Sequence, residues 1–245
     1  MKGQMILILS DIHGNLEALK AVLYKEDLTN VSGIILLGDL IDYGPHSNEV
    51  IQLLMDELPE EKILINLWGN HENAILTETF TGFSSQRGIE SAKYTSSILN
   101  CKSRDYLEKL EPSGIKPFRL GVKKCLAVHG SLDNTLWTSI FPENIHGNYK
   151  EYDYVFSGHS HYPHCFDVFY ENEDPAYRNK KRVLFLNPGS VGQPRDHSPY
   201  ASYALMDLKT EEVQLKKVPY DVKKTIKHFS DQVDEFYKTR LKRGI

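Results

Sequence analysis

The residues of this chain best suited to chemistry come in short clusters: Asp11-Ile-His13, Gly38-Asp39, Gly69-Asn70-His71-Glu72, His129-Gly130 and Gly158-His159-Ser160-His161. Together they offer carboxylate, imidazole and amide donors and no thiolate. Such a set suits divalent first-row metal ions held for catalysis. Each cluster follows an apolar run: Ile6–Leu9, Ile34–Leu37, Ile63–Trp68, Leu126–Val128 and Tyr154–Phe156. A short apolar run closed by glycine or a polar turn reads as a buried strand. Ligands of open α/β sheets gather beyond the carboxyl ends of strands, so strands ending this way deliver their polar residues to one site. His13, His129 or His161 taken alone reads as an ordinary hydrogen-bonded residue. The ordered set is what argues for metal.

The segments between these clusters supply the positioning elements. Asn15 reads as the N-cap of a helix to about Tyr24, with Leu16, Leu19, Ala21, Val22 and Leu23 at helical spacing. Asn48 to Leu58 repeats the pattern and stops at Pro59. Helices alternating with strands predict α/β layering. The stretch from about 74 to 120 carries no cluster; Ser85–Leu99 and Ser103–Leu110, the latter capped by Ser103, predict a helical insertion that overhangs the site or packs on one flank. After His161, Cys165–Tyr170, Arg182–Leu186, Ser202–Leu208 and Val213–Val218 read as strands of an antiparallel second sheet. Asp221 caps a final helix over about 221–243, in which Val222, Ile226, Phe229, Val233 and Phe236 form a stripe that Arg240 ends. Burial of that stripe on the sheet layer is expected; monomer and homodimer both stay open.

With 245 residues, 40% hydrophobic and 25% charged, the expectation is a single domain over residues 1–245 with a sizeable core. A formal net charge of −4 gives no reason to expect nucleic acid as a partner. Cys101, Cys125 and Cys165 are odd in number and widely spaced, so no disulfide framework is implied. Ile6–Leu9 is too short for a signal-peptide core, and no apolar segment approaches the roughly 18 residues that span a bilayer. A soluble cytoplasmic protein without membrane partners is the expectation.

The series Asp-x-His, Gly-Asp, Gly-Asn-His-Glu, His-Gly, Gly-His-x-His resembles that of the calcineurin-like metallophosphoesterases, and Asn187-Pro-Gly-Ser-Val191 looks like the closing strand and turn of their smaller bacterial and archaeal members. The resemblance implies a four-layer α/β/β/α sandwich of two mixed sheets with two divalent metal ions at one edge. Asp11, His13 and His161 would hold one ion and Asn70, His129 and His159 the other, with Asp39 bridging both. Manganese is the first choice; iron, nickel or zinc suits the same ligands. The implied reaction is in-line attack on phosphorus by a hydroxide bridging the metals, coordination having lowered the pKa of water from 15.7 toward about 7. His71 is the implied general acid, and Asp42, three residues after Asp39, the carboxylate that orients it.

One departure bears on substrate. Protein phosphatases of this family read Gly-Asp-x-x-Asp-Arg-Gly, whereas this chain reads Gly38-Asp39-Leu40-Ile41-Asp42-Tyr43-Gly44. Tyr43 lacks the planar, permanently charged fork that arginine offers a phosphate dianion. A phosphodiester carries one negative charge and needs less clamping, so the sequence tilts toward a phosphodiesterase acting on a small-molecule or nucleotide phosphoester. Arg195, in Gln193-Pro-Arg-Asp196, is the candidate to reach substrate from another loop, beside Tyr43. Phosphomonoesterase, serine/threonine protein phosphatase and dinucleoside polyphosphate hydrolase are the enzymatic alternatives. A metal-binding scaffold module is the non-enzymatic one, and the presence of His71 argues against it. His46 and His197 sit in proline-containing loops that border the cleft in one reading, and His228 is expected to be solvated on the final helix.

Overall fold

Strands that are apolar at consecutive positions need cover on both faces. The computed structural model, which describes residues 5–245, meets that need with two five-stranded mixed sheets packed face to face. The first residues of the expected domain, 1–4, lie outside the described range. β1 (Met5–Leu9), β2 (Val31–Leu36) and β3 (Ile63–Asn66) run parallel. They are joined by α1 (Leu16–Lys25), which Asn15 caps by accepting from the Ala18 N–H, and by α2 (Ser47–Glu57). Then come α3 (Asn70–Leu76), α4 (Gln86–Ile98) and α5 (Cys101–Leu107).

The second sheet takes the next strands. β4 (Ile115–Leu120) pairs antiparallel with β5 (Lys123–Val128); β5, β6 (Tyr154–Ser157) and β8 (Lys180–Asn187) are parallel; β7 (His164–Glu171) closes the far edge antiparallel to β8. The chain then returns to the first sheet. β9 (Ala201–Asp207) pairs antiparallel with β1, and β10 (Val213–Val218) with β9. Each sheet therefore carries a parallel core whose carboxyl ends share one edge, where the polar clusters emerge.

Alternation along each strand divides the side chains between layers. Ile6 and Ile8 of β1 and Ile35 of β2 meet Cys125, Ala127, Phe156, Leu184 and Leu186 between the sheets. Leu7, Leu9, Ile34 and Leu36 face the other way, onto Leu19 and Val22 of α1 and Ile51 and Leu54 of α2. The outer face of the second sheet, with Leu126, Val128, Val183 and Phe185, is covered by Ile140 and Tyr149 of the connection between β5 and β6. Among the described residues no helix is long and apolar enough to cross a membrane.

Three local expectations change. The four late strands do not make one antiparallel sheet: β7 and β8 belong to the second sheet, β9 and β10 to the first. The turn after β8 docks on the loop after β1, with Val191 N–H on Ser10 O and Gly192 N–H on Asp11 O, and so hands the chain across. The stretch expected as a helical insertion ends in a strand, β4, whose Pro117 is tolerated because β4 is a sheet edge; within it Asn100, not Ser103, caps α5. The C-terminal helix is two helices, α6 (Val222–Lys227) and α7 (Glu235–Arg243), the second capped by Asp234. The break resets the helical phase, so Tyr237 and Leu241 are the buried residues of α7 while Phe236 is only partly covered. His228 lies exposed at the end of α6, with Nδ1 2.8 Å from His46 Nε2.

Phe156 is fully buried where the two sheets meet. Phe156→Ala is expected to cost about 3–5 kcal/mol in equilibrium urea unfolding. A loss below about 1 kcal/mol would show that the inter-sheet core closes around the cavity more freely than close packing allows.

Candidate metal centre

The turns that leave the parallel strands are strained. Asp11, His13, Asp39, His159 and His161 all have positive φ, from 47° to 62°, and so do Asp42 at 72° and Tyr43 at 59°. Residues with a Cβ adopt this region rarely and at a cost of about 1–3 kcal/mol each. The strain turns side chains that would otherwise follow the strand direction back over its end. Gly38, at φ +91°, is forced by crowding: a Cβ there would lie 2.3 Å from Gly69 N.

The side chains so turned converge. Asp11, His13, Asp39 and His161 form one group of donors and Asp39, His129 and His159 a second, each with ligand atoms within 4.8 Å of one another. Asp39 belongs to both. Its Oδ2 lies 3.6 Å from His13 Nε2 and 3.4 Å from His129 Nε2. Asn70 joins the second group, with Oδ1 3.0 Å from His129 Nε2. All are buried except His159, which is partly so.

Hydrogen bonding outside the cluster fixes which imidazole nitrogen faces inward. His13 Nδ1 donates to Ile41 O at 3.2 Å, His129 Nδ1 to Leu37 O at 2.7 Å and His161 Nδ1 to Gln193 O at 2.6 Å; His159 uses Nε2, donating to Trp137 O at 3.1 Å. A carbonyl accepts only, so each of these nitrogens carries the proton, and in the rings that burial keeps neutral, His13, His159 and His161, the inner nitrogen presents a lone pair. The inner nitrogens of His13 and His161 then face each other at 3.2 Å. Acceptor opposed to acceptor is repulsive unless positive charge lies between. Asp11 points the same way: Oδ2 accepts from Ser10 Oγ and His159 N–H, while the buried Oδ1 accepts no hydrogen bond. The donor chemistry and this orphaned oxygen fit divalent cations.

Electrostatics agree. Burial drives His13 and His161 toward the neutral form and takes His159 down to about 3. Burial also opposes charge on His129, yet the Asp39 and Asp11 carboxylates outweigh it and lift this imidazole to about 9. Asp39 is pulled well below the carboxylate range by His129, His71 and His13, against the opposing effect of its burial. The pocket therefore calls for positive charge around Asp39.

His71 stands beside the donors. Its Nδ1 lies 2.6 Å from Asp42 Oδ2, and its N–H donates to Asp39 Oδ1 at 2.9 Å. Burial disfavours charge on His71, but Asp39 and the bond to Asp42 overcome it and raise its pKa. Asp42 Oδ1 accepts from Ser91 Oγ and Thr95 Oγ1 of α4, each at 2.7 Å. The insertion thus contributes to the site through two hydroxyls that the sequence reading did not single out. Their i, i+4 spacing on the buried face of α4 was the available signal.

Glu72 was also missed as a positioning residue. Fully buried, it accepts from Gly69 N and Asp39 N through Oε2 and from Leu40 N and Ile41 N through Oε1. One carboxylate therefore ties the Gly38–Asp42 turn to the start of α3. Glutamate three residues after a helix N-cap is a capping-box position, which is where the sequence carried the hint.

These groups floor a cavity of about 300 Å³ lined by Asp39, Tyr43, Asn70, His71, Phe83, Trp137, His159, His161 and Arg195. Arg195 and Tyr43, the two substrate candidates, both lie there; His46 and His197 are not among its lining residues. Phe83 and Trp137 meet edge to face at 5.3 Å and form an apolar wall beside His71 and His159.

A pair of mixed sheets with carboxylates and imidazoles at the shared carboxyl edge defines a metal-site hydrolase fold. The chain belongs to the calcineurin-like phosphoesterase superfamily, whose domain matches residues 5–211, and is accordingly a phosphoester hydrolase by family. It is similar to an uncharacterized protein of Methanocaldococcus jannaschii, 30% identical over 227 residues and 91% of both chains. Its structure resembles that of a metallophosphoesterase from Sphaerobacter thermophilus, with a TM-score of 0.73, 28% identity and coverage of 99% of this chain and 100% of that one. A hypothetical protein from Pyrococcus horikoshii shares the fold at a TM-score of 0.78 and 22% identity, over 98% of both chains.

Glu72→Gln is expected to turn one backbone-accepting oxygen into a donor facing N–H groups. Metal affinity measured by competition with a chromogenic chelator should fall about 10–100-fold, with a loss of about 1–3 kcal/mol in unfolding free energy. Unchanged metal affinity would remove Glu72 from the site's support.

Proposed function

We propose that the protein is a phosphodiesterase with a dinuclear metal centre. Asp11, His13 and His161 would hold one divalent cation, Asn70, His129 and His159 the other, and Asp39 both, with manganese the first choice. The carrying observation is that Asp39 is shared by two donor groups, in the first of which the inner nitrogens of His13 and His161 face each other at 3.2 Å. Divalent ions held in such a site supply Lewis acidity and a nucleophile from water at neutral pH.

The chain's own residues carry the proton chemistry. With Nδ1–H held on Asp42, His71 keeps a defined tautomer and offers Nε2 to the cavity that it lines. Protonated there, it donates to the oxygen leaving phosphorus; Asp42 steadies the imidazolium before transfer, and Ser91 and Thr95 hold Asp42 in place. Tyr43 stacks on Tyr237 at 4.4 Å and meets His71 edge to face at 4.4 Å. Its ring thus serves as a wall where related phosphatases have a phosphate clamp. Together with Phe83 and Trp137 that wall suits the apolar flanks of a diester. A phosphomonoesterase is the second reading, favoured by the single guanidinium of Arg195 in the cavity.

Elemental analysis of the purified chain should find two equivalents of divalent metal; chelation should abolish hydrolysis, and manganese restore it. Bis(p-nitrophenyl) phosphate is expected to be cleaved with higher kcat/KM than p-nitrophenyl phosphate, and the reverse order would decide for the monoesterase. Asp42→Asn should slow esters of poor leaving alcohols about 10²–10⁴-fold, with a much smaller effect on p-nitrophenyl esters, because only the former need a proton from His71. Equal losses on both would contradict that role.

A further inference from the structure

In and beside the cavity lies a concentration of positive charge larger than a single diester phosphate calls for. Arg195 lines the cavity beside Tyr43 and His71, and its Nε is buried without a hydrogen-bond partner. Tyr43 stacks on Tyr237 of α7, and the neighbouring Phe236 is flanked by two further guanidinium groups. Arg87 Cζ lies 4.1 Å and Arg240 Cζ 4.9 Å from its ring centroid. Arg87 belongs to the first turn of α4, just after Ser84 and Ser85 of the cavity lining.

No aspartate or glutamate side chain of the described residues forms an ion pair with any of the three arginines. Arg240 donates its Nε–H to an oxygen of the α-carboxylate of Ile245, and its terminal nitrogens make no hydrogen bond among the described residues. Burial, above all, brings Arg240 down to about 10; Arg195 and, less, Arg87 act in the same direction, and Tyr43 and Tyr237 oppose it. Contact with the face of Phe236 accounts for where Arg87 and Arg240 lie. It does not account for a third guanidinium close by with no counter-charge. Uncompensated like charges destabilise a fold, and chains that keep them commonly do so for an anionic ligand. Planar guanidinium forks match phosphate oxygens two at a time, and several together answer a dianion better than the single charge of a diester.

We propose that Arg87, Arg195 and Arg240 form a second anion subsite, and that the substrate is a phosphodiester bearing a further phosphate on a group attached to the scissile phosphorus. This inference rests on the phosphoesterase reading above and narrows it. A monoester would need Arg195 alone. The pair held by Phe236 on α7 extends the positive field away from the metal donors, toward a group that does not react.

A matched pair of chromogenic diesters tests the subsite on the metal-loaded full chain: thymidine 5′-(p-nitrophenyl phosphate) and the same compound phosphorylated at the 3′ oxygen. The 3′-phosphorylated ester is expected to have about a tenfold lower KM. Arg240→Gln and, separately, Arg87→Gln should each shrink that advantage to less than about threefold. Equal KM values in the parent chain, or an advantage untouched by both substitutions, would overturn the subsite while leaving the phosphodiesterase reading intact. Should neither ester be cleaved, the parent reading fails, and the subsite is read by calorimetry on the same three chains. Thymidine 3′,5′-bisphosphate must then bind about tenfold more tightly than thymidine 5′-monophosphate, and only with the arginines present. Equal affinities would end the proposal.

Discussion

The whole site hangs on the placement of one buried carboxylate. Asp39 is reached by both donor groups, and everything around it constrains it: its main chain has φ 53°, its N–H is held by Glu72, and its Oδ1 accepts from the His71 N–H. A buried carboxylate needs hydrogen bonds and compensating charge. Here the hydrogen bonds come from the protein, and the remaining oxygen faces the neutral His13 imidazole on one side and His129, the one imidazole with a raised pKa, on the other, so its charge is compensated from one side only. That imbalance is what makes the pocket demand a cation. It also explains why the fold tolerates several non-glycine residues in a strained conformation at one edge: the packing behind them fixes their turns, and any bound cation repays part of the strain.

The same constraint links distant parts of the chain. Glu72 joins the start of α3 to the Gly38–Asp42 turn, Asn187 holds Gly158 O through Nδ2, and the Ser190–Gly192 turn docks on Ser10 and Asp11. The first two ties fix loops at the edge of a single sheet, and the third joins the second sheet to the first, so the two sheets cannot slide without moving ligands. The inter-sheet core around Phe156 and Ile8 therefore acts on the site directly, by setting the distance between Asp11 and Asp39 on one sheet and His129 and His159 on the other. Two mixed sheets are a rigid means of bringing ligands from far-apart stretches of sequence to one point.

The donors were legible because each is announced locally, by an apolar run and then a turn bearing an aspartate, histidine or asparagine. The strands they follow appear within a few residues of where the apolar runs placed them; β1, for instance, is Met5–Leu9 against an expected Ile6–Leu9. What could not be read is what depends on partners distant in sequence. Whether β9 pairs with β1 or extends the β7–β8 ribbon is decided by the Val191 and Gly192 contacts, which leave no periodic trace. Glu72 and the Ser91–Thr95 pair act on residues some 30–50 positions away, so their patterns look like an ordinary cap and an ordinary polar face. The continuous stripe read through 222–240 hid a break because Phe229 and Val233 are buried in the link itself and bridge the two helical phases.

The broken C-terminal segment brings substrate recognition and architecture together. Had the helix run unbroken, Phe236 and Arg240 would continue the buried stripe. Instead Tyr237 and Leu241 face inward, and Tyr237 comes to rest on Tyr43. Tyr43 stands where arginine serves the phosphatases that the sequence resembles, and its ring is the partner α7 requires. The Gly38–Gly44 turn is thus joined to α7 through one aromatic stack, and both the setting of Tyr43 at the donor edge and the placement of Arg240 on α7 depend on that contact.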